Sequence, residues 1–219
     1  RVPFAQMDRH SQRLLEACDH TAFDITARDV RRARQGYFAN ISYVDDKIGE
    51  IFAALEASRQ EAIVIFVSDH GEMLGRKGLW FKMNFFEGAA RVPMMIAAPD
   101  LKPQRIDTPV STIDLTPTLC DLAGISMAEV MPWTDGESLL PLASGTPRTT
   151  PVLMEYAAEG TITPMIAIRE GAWKYIHCPA DPDQLFDLAA DPDEEVNLAT
   201  DPRAAEVLAH FQSQTQARW

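Results

Sequence analysis

The sequence predicts an α/β fold in which helices flank a layered sheet, followed by a smaller C-terminal α+β subdomain. An amphipathic pattern over residues 29–58 is followed closely by an apolar run over residues 62–67. A helix followed by a buried strand is typical of a layered α/β domain. Beyond about residue 147, short strand-like segments are separated by Gly and Pro turns, which suits a small antiparallel sheet. The predicted domains are therefore residues 1–146 and residues 147–219.

The helix predicted over residues 29–58 depends on apolar residues that recur every three or four positions. Asp29, near its start, favours the positive end of the helix dipole. The apolar stripe consists of Val30, Ala33, Tyr37, Ile41, Val44, Ile48, Ile51, Phe52 and Leu55. Residues 1–27 are polar and irregular, so the sequence predicts no regular element there.

Two continuous apolar runs, residues 62–67 and 92–98, predict strands of the larger domain. Runs of this kind are typical of strands that helices cover on both faces. Pro117 and Gly124 fit the first turn and the end of a helix over residues 111–124. The subdomain is predicted to contain strands at residues 152–156, 165–169, 173–177 and 184–188, and a last helix from Arg203 to about Gln216.

Composition excludes several classes of protein. A formal net charge of -12 excludes a nucleic-acid-binding surface, which needs clustered Lys and Arg. Cys18, Cys120 and Cys178 are few and widely spaced, which argues against a disulfide framework and predicts a reducing, cytoplasmic location. No run approaches about 18 apolar residues, so no membrane partner is predicted. The chain begins at Arg1 without an initiator Met, and we expect it to be part of a longer protein.

The run over residues 62–67 ends in Ser68-Asp69-His70-Gly71. In open α/β sheets, ligands bind outside the carboxyl ends of strands. Asp69 and His70 lie at such an end, and a turn at Gly71 would let both side chains reach one divalent cation. A hard cation needs further oxygen ligands, which must come from elsewhere. The alternative is a strand-end Asp that caps a turn beside an ordinary His.

Lys82 follows Asp69 by thirteen residues, in a loop that also carries Trp80. An ammonium group faces a metal favourably only when an anion lies between them. A metal and a lysine together therefore indicate a site for a phosphate or sulfate group. The alternative for Lys82 is a solvated surface charge, which is the usual state of a lysine.

The segment "VSDHGEMLGRKGLWFKMNFFEGAARVPMMIAAP" resembles the second metal-binding segment of sulfatases in the alkaline phosphatase superfamily. "WKYIHCPADPDQLFDLAADPDEEVNLA" is similar to the C-terminal subdomain of these enzymes. Together with "EYAAEG", these motifs are most similar to the choline-sulfatase branch of the family. The resemblance runs in order from about Arg28 onward, and it implies an alkaline-phosphatase-like fold, here incomplete.

The resemblance also implies roles for individual residues. Asp69 and His70 would be ligands of a divalent metal, Ca²⁺ in first place with Mg²⁺ or Mn²⁺ as alternatives. Lys82 would contact the sulfate oxygens and offset charge on the leaving oxygen, and Glu159 would face the choline ammonium. A quaternary ammonium has no N–H to donate, so carboxylates and aromatic faces must recognise it. Trp80 is therefore a candidate wall of the site, and the other candidates are Phe85, Phe86 and Trp133, with a core role as the alternative for all four.

The nucleophile of this family is a formylglycine made from Cys in a C-x-P-x-R or C-x-A-x-R context, and no cysteine of this chain lies in either. The paired aspartates that complete the metal site are also absent from the sequence. The resemblance thus implies the C-terminal portion of a choline-O-sulfate hydrolase that is homo-oligomeric at full length, with its nucleophile in a missing N-terminal half. The chain alone is expected to be inactive. The alternatives are a phosphonate monoester or phosphodiester hydrolase, and a non-catalytic assembly domain.

Overall fold

The computed structural model describes residues 2–218. The chain forms two compact units. The first runs to Asp100 and includes the separate segment Ala157–Thr163, and the second comprises Leu101–Tyr156 and the chain from Pro164 onward. The domain boundary predicted between residues 146 and 147 stays a prediction.

The first unit combines α-helices with a two-stranded antiparallel sheet. Its elements are α1 (Arg9–Ala17), α2 (Ala27–Ser58), β1 (Val64–Val67), α3 (Glu87–Ala90) and β2 (Met94–Ala97). In the sheet, Val64 pairs with Ala97 and Val67 pairs with Met94. The two predicted strands are therefore present, each shorter than predicted.

The helix predicted over residues 29–58 is present as α2, which begins two residues earlier. Thr26 and Asp29 form a capping box: the amide of Asp29 donates to Thr26 Oγ1 at 3.3 Å, and the amide of Thr26 donates to Asp29 Oδ2 at 3.0 Å. These bonds satisfy backbone groups that the first helical turn leaves unpaired. The helix ends where Arg59 turns into the left-handed region, at φ 54°.

The apolar stripe of α2 is not covered, because none of the 32 described residues of this helix is buried. Ile51 is 65% exposed and Phe52 is 49% exposed. The strands are also partly open, with Met95 59% exposed. Within residues 2–218 these strands are therefore only partly covered.

A helix occupies part of residues 1–27, for which the sequence predicted no regular element. The carboxylate of Asp8 accepts from the amide of Ser11 at 2.9 Å and caps the start of α1. The buried face of α1 is half polar, which explains why an apolar period does not reveal it. Its buried residues are His10, Ser11, Gln12, Leu14 and Leu15.

The second unit is built on a four-stranded antiparallel sheet in the order β3-β4-β5-β6. Its elements are α4 (Leu115–Leu122), α5 (Met127–Val130), α6 (Leu140–Ala143), β3 (Val152–Tyr156), β4 (Met165–Glu170), β5 (Trp173–His177), β6 (Gln184–Asp187) and α7 (Ala205–Arg218). The four predicted strands are thus confirmed within one residue at each end. The core between sheet and α7 consists of Ile168, Tyr175, Leu185, Ala204 and Phe211.

Candidate active site

The strand β1 ends directly before Asp69 and His70, as the sequence predicted. Ser68 Oγ donates to the carbonyl of His70 at 2.8 Å, and the amide of His70 donates to Asp69 Oδ1 at 2.9 Å. The Asp69 side chain is 83% exposed, so its second oxygen is open to a ligand. The amide of His70, with a smaller contribution from the charge of Lys82, holds the pKa of Asp69 below its ordinary value of 3.8. A carboxylate of this kind remains ionised and able to bind a cation.

The hydrogen bonds of His70 assign its tautomer. Nδ1 lies 2.8 Å from the carbonyl oxygen of Gly71, which can only accept, so Nδ1 carries the proton. The lone pair of Nε2 is then directed at Lys82, whose Nζ donates to it at 2.8 Å. Nε2 also lies 3.4 Å from Asp69 Oδ2. A backbone carbonyl that fixes the ring of a metal-binding histidine through its other nitrogen is a common arrangement.

Gly71 has a different reason to be glycine from the one that the sequence suggested. A Cβ atom there would lie 2.2 Å from the carbonyl oxygen of Gly88, in the backbone of α3. The amide of Gly71 also donates to the carbonyl of Ala89 at 2.7 Å. The absence of a side chain therefore lets the segment with Asp69 and His70 pack directly on α3, and the backbone of Gly71 is not in the left-handed region.

Glu72, for which the sequence indicated no role, closes the loop that carries Lys82. Its Oε1 accepts from the amides of Leu74 and Phe81, at 3.1 and 2.6 Å. The amide of Met73 donates to the carbonyl of Phe81 at 2.9 Å and joins the two ends of the same loop. Phe81 adopts φ 68°, a left-handed conformation that is costly for an aromatic residue and persists where its surroundings enforce it. Lys82 follows at once, so this closed loop determines where its ammonium group lies.

The aromatic candidates differ in how deeply their side chains are buried. Phe85 and Phe86 are buried, which favours the core role that the sequence left open for them. Trp80 is half-buried and packs over Gly75, where an added Cβ would lie 3.3 Å from Cζ2 of its indole ring. Trp133 is 74% exposed and belongs to the second unit.

Glu159 lies in the segment Ala157–Thr163, which belongs to the same unit as Asp69, His70 and Lys82 although it is far away in sequence. Its side chain is exposed. The next residue, Gly160, adopts φ 78°, and a Cβ there would lie 2.7 Å from Leu14 Cδ2. The structure thus brings Asp69 and Lys82 to the same nitrogen of His70. Trp80 lies in the loop that carries Lys82, and Glu159 lies on a separate segment of this unit.

The side chains of Asp69 and His70 fit part of a divalent-metal site. A carboxylate oxygen and an imidazole lone pair 3.4 Å apart can share one cation. Within residues 2–218, however, no group of three or more His, Cys, Asp or Glu side chains is arranged to hold a metal. A hard cation at this place would therefore need oxygen ligands beyond these two.

Among the same residues, no helix combines the length and the apolar character needed to cross a membrane.

Two family profiles match the chain. One described as Sulfatase matches residues 4–125, and one described as N-sulphoglucosamine sulphohydrolase, C-terminal, matches residues 75–218. Together they extend over both compact units.

Individual relatives agree with these profiles. The chain is 58% identical over 189 residues to the choline-sulfatase of Rhizobium meliloti (strain 1021), covering 85% of this chain and 37% of that protein. It is 36% identical over 181 residues to arylsulfatase K of Gallus gallus, covering 76% and 33%. The crystal structure of phosphonate monoester hydrolase of Agrobacterium radiobacter has a TM-score of 0.78 at 27% identity, covering 89% of this chain and 42% of that one. The chain thus spans about a third of the length of these curated relatives.

Proposed function

The chain belongs to the sulfatase family, with its α/β fold, and from that premise we propose that it forms the C-terminal part of an enzyme that hydrolyses choline-O-sulfate to choline and sulfate. The observation that carries the proposal is the cluster of Asp69, His70 and Lys82 at the end of β1. Two potential metal ligands there adjoin an ammonium group, and such a pair suits an anion held between them. The similarity to a choline-sulfatase supports choline sulfate as the ester.

In this proposal, Asp69 and His70 are ligands of a divalent metal, Ca²⁺ in first place and Mg²⁺ or Mn²⁺ as alternatives. When bound, the metal supplies positive charge that stabilises the sulfate oxygens. Nε2 of His70 has one lone pair, so it cannot bind a cation while it accepts from Lys82. With His70 as a ligand, Lys82 would lose this partner, and its ammonium group would instead contact the sulfate and offset charge on the leaving oxygen.

Glu159 and Trp80 are proposed to recognise the choline end of the substrate. Choline carries a fixed positive charge and no N–H donor, so a carboxylate and an aromatic face are the groups that bind it. Glu159 is exposed, and Trp80 is half-buried with part of its surface open. Both belong to the unit that holds Lys82.

The nucleophile of the proposed enzyme is a formylglycine that residues outside this chain supply. None of Cys18, Cys120 and Cys178 lies in a C-x-P-x-R or C-x-A-x-R context. We propose accordingly that the chain alone does not turn over substrate, and that the full-length protein is a cytoplasmic homo-oligomer. All three cysteines are free thiols, which is consistent with a reducing compartment.

A phosphonate monoester or phosphodiester hydrolase is the second candidate, because a phosphonate monoester hydrolase is among the similar solved structures. Those substrates lack a fixed cation, so Glu159 would have no partner in them. The third candidate, a non-catalytic assembly domain, predicts no activity in the full-length protein with either kind of ester. Activity on choline sulfate thus separates the three.

Glu159→Gln in the full-length protein tests the choice of substrate. Loss of the carboxylate charge is expected to raise KM for choline sulfate about tenfold, equivalent to ~1.4 kcal/mol of binding free energy. KM for 4-nitrophenyl sulfate should change little, because the organic part of this ester carries no cation for Glu159 to bind. Steady-state kinetics with both substrates provide the measurement, and an equal change in the two KM values would contradict the role of Glu159.

Lys82→Met in the same protein tests the anion site. Since Lys82 is proposed to contact the group that both substrates share, kcat should fall by about 10²- to 10³-fold with either ester. Lys77→Met is the matched control, because Lys77 lies in the same loop with its Nζ over the ring of Phe86, 4.7 Å from the centroid. An unchanged kcat in Lys82→Met would remove this residue from the sulfate site.

A further inference from the structure

His10, on the first turn of α1, joins two segments of the candidate site that are far apart in sequence. It is only 3% exposed. Its Nε2 lies 2.6 Å from the carbonyl oxygen of Met83, the residue that follows Lys82. Its Nδ1 lies 3.3 Å from the carbonyl oxygen of Gly160, the residue that follows Glu159. One buried ring therefore spans the backbone next to the proposed anion-binding residue and next to the proposed cation-binding residue.

The chemistry of these contacts requires a donor on the histidine. Both partners are backbone carbonyl oxygens, which can only accept. With one N–H on the ring, the shorter contact takes the hydrogen bond, so Nε2 donates to Met83 O and Nδ1 packs against Gly160 O without donating to it. Arg13, one turn further along α1, donates from Nε to the same Gly160 carbonyl at 2.8 Å, so two side chains of α1 contact the segment with Glu159 at this carbonyl.

The fit around Gly160 restricts this segment further. The left-handed φ of 78° strains any other residue here, and an added Cβ would lie 2.7 Å from Leu14 Cδ2, which would have to shift. The helix α1 is itself anchored by its cap, in which Asp8 accepts from the amide and the hydroxyl of Ser11. Movement of the Gly160 backbone is therefore limited by packing as well as by hydrogen bonds.

We propose that His10 is a positioning residue that sets the relative placement of Lys82 and Glu159, and with it the distance between the anion and cation subsites. The ring touches neither substrate nor metal in this role and acts through the carbonyls of Met83 and Gly160. The inference rests on the proposed function, since the two subsites are those of a substrate charged at both ends. A substrate of fixed length needs its two subsites at a fixed separation.

The kinetic test compares His10→Ala, His10→Gln and His20→Ala in the full-length protein. His20 is a matched control because it contacts the carbonyl of Leu15 and stacks on Phe4 instead. His10→Ala should lower kcat/KM for choline sulfate about tenfold more than for 4-nitrophenyl sulfate, which does not span both subsites. His10→Gln retains a donor toward Met83 and should recover part of the loss. A general loss of folded protein would lower both substrates alike, and such a uniform result would overturn the inference.

Hydrogen exchange provides a test that does not need the enzyme reaction. The amide of Asn84 donates to Lys82 O at 2.8 Å and that of Thr161 donates to Ala158 O at 3.2 Å, so their exchange reports on the two segments. His10→Ala should accelerate exchange about tenfold in both, and His20→Ala in neither. If the wild-type protein is inactive on choline sulfate but both segments respond together, the proposed function fails and the coupling stands. If one segment or neither responds, the inference is wrong whatever the activity.

Discussion

Gly71 illustrates how one residue combines the candidate site with the packing of the first unit. Its neighbours Asp69 and His70 are the proposed metal ligands, while its own amide donates to Ala89 O at 2.7 Å. The Gly88 carbonyl approaches so closely that a Cβ at position 71 would lie 2.2 Å from it. Any side chain must therefore push the ligand-bearing backbone away from α3. The position of His70 depends on this contact because Nδ1 of its ring donates to the carbonyl of Gly71.

Gly71→Ala is expected to lower the free energy of unfolding by about 1–3 kcal/mol, the usual cost of overpacking a filled site. Gly49→Ala is the control, because an added Cβ at Gly49 in α2 meets nothing within 4 Å. Alanine has the higher helix propensity, so that variant should gain up to about 1 kcal/mol. Urea unfolding of both variants measures the difference, and a loss of equal size in the two would contradict the contact with Gly88.

At the scale of elements, Asp183 joins the sheet of the second unit to α7. It lies just before β6, and its Oδ2 accepts from the hydroxyl of Tyr175 on β5 at 2.8 Å. Gln212 of α7 donates to the same oxygen at 2.9 Å. Nδ1 of His177 lies 2.7 Å from Oδ1. Burial, together with this hydrogen bond to Asp183, raises the pKa of Tyr175 above its ordinary value of 10.0, so the phenol remains a donor.

This arrangement predicts a pH dependence of stability. Burial raises the pKa of Asp183, but the hydrogen bonds from Gln212, His177 and Tyr175 outweigh it and leave the pKa below 3.8. A carboxyl whose pKa is lowered in the folded state contributes stability above its unfolded pKa, and that contribution is lost as pH falls from about 4 through the folded value. In Asp183→Asn, the free energy of unfolding should therefore fall less steeply than in the wild-type protein as the pH decreases below about 4. Asp121→Asn, at an exposed position on α4, is the control, and an unchanged slope in Asp183→Asn would contradict the assignment.

Elements with a strong local pattern were predictable from the sequence, and elements held by distant contacts were not. The period of α2, and the Gly and Pro turns between the short strand-like segments, located α2 and β3 to β6 within a few residues. Asp69, His70 and Lys82 follow one strand end and lie in or beside the same loop, so their proximity could be predicted from the sequence. In contrast, α1 packs through polar residues such as His10, whose partners lie 73 and 150 positions away. No local period encodes such contacts, because the bonded groups are backbone carbonyls that every residue carries.

On the scale of the whole molecule, the apolar stripe of α2 is the largest departure from what an amphipathic helix normally does. Such a stripe usually faces a core, yet Ile41 and Val44 are each 49% exposed and Ile51 is 65% exposed. Contiguous exposed apolar surface of this kind usually marks an interaction site. The chain covers only 37% and 33% of the lengths of two curated relatives, so we infer that residues outside this chain cover the stripe in the full-length protein.

The 219-residue chain by itself is therefore expected to bind the hydrophobic dye anilinonaphthalene sulfonate through this stripe. The double substitution Ile51→Lys and Phe52→Lys places two charges in the stripe and should reduce the dye fluorescence by about half. Val196→Lys with Ile162→Lys is the matched control, since these residues are 59% and 60% exposed but lie outside α2. Scattered apolar residues offer the dye no continuous surface, so the control should retain most of the signal. An equal decrease in both variants would mean that the stripe is not the dye site, and the inference that it is an interface would lose its support.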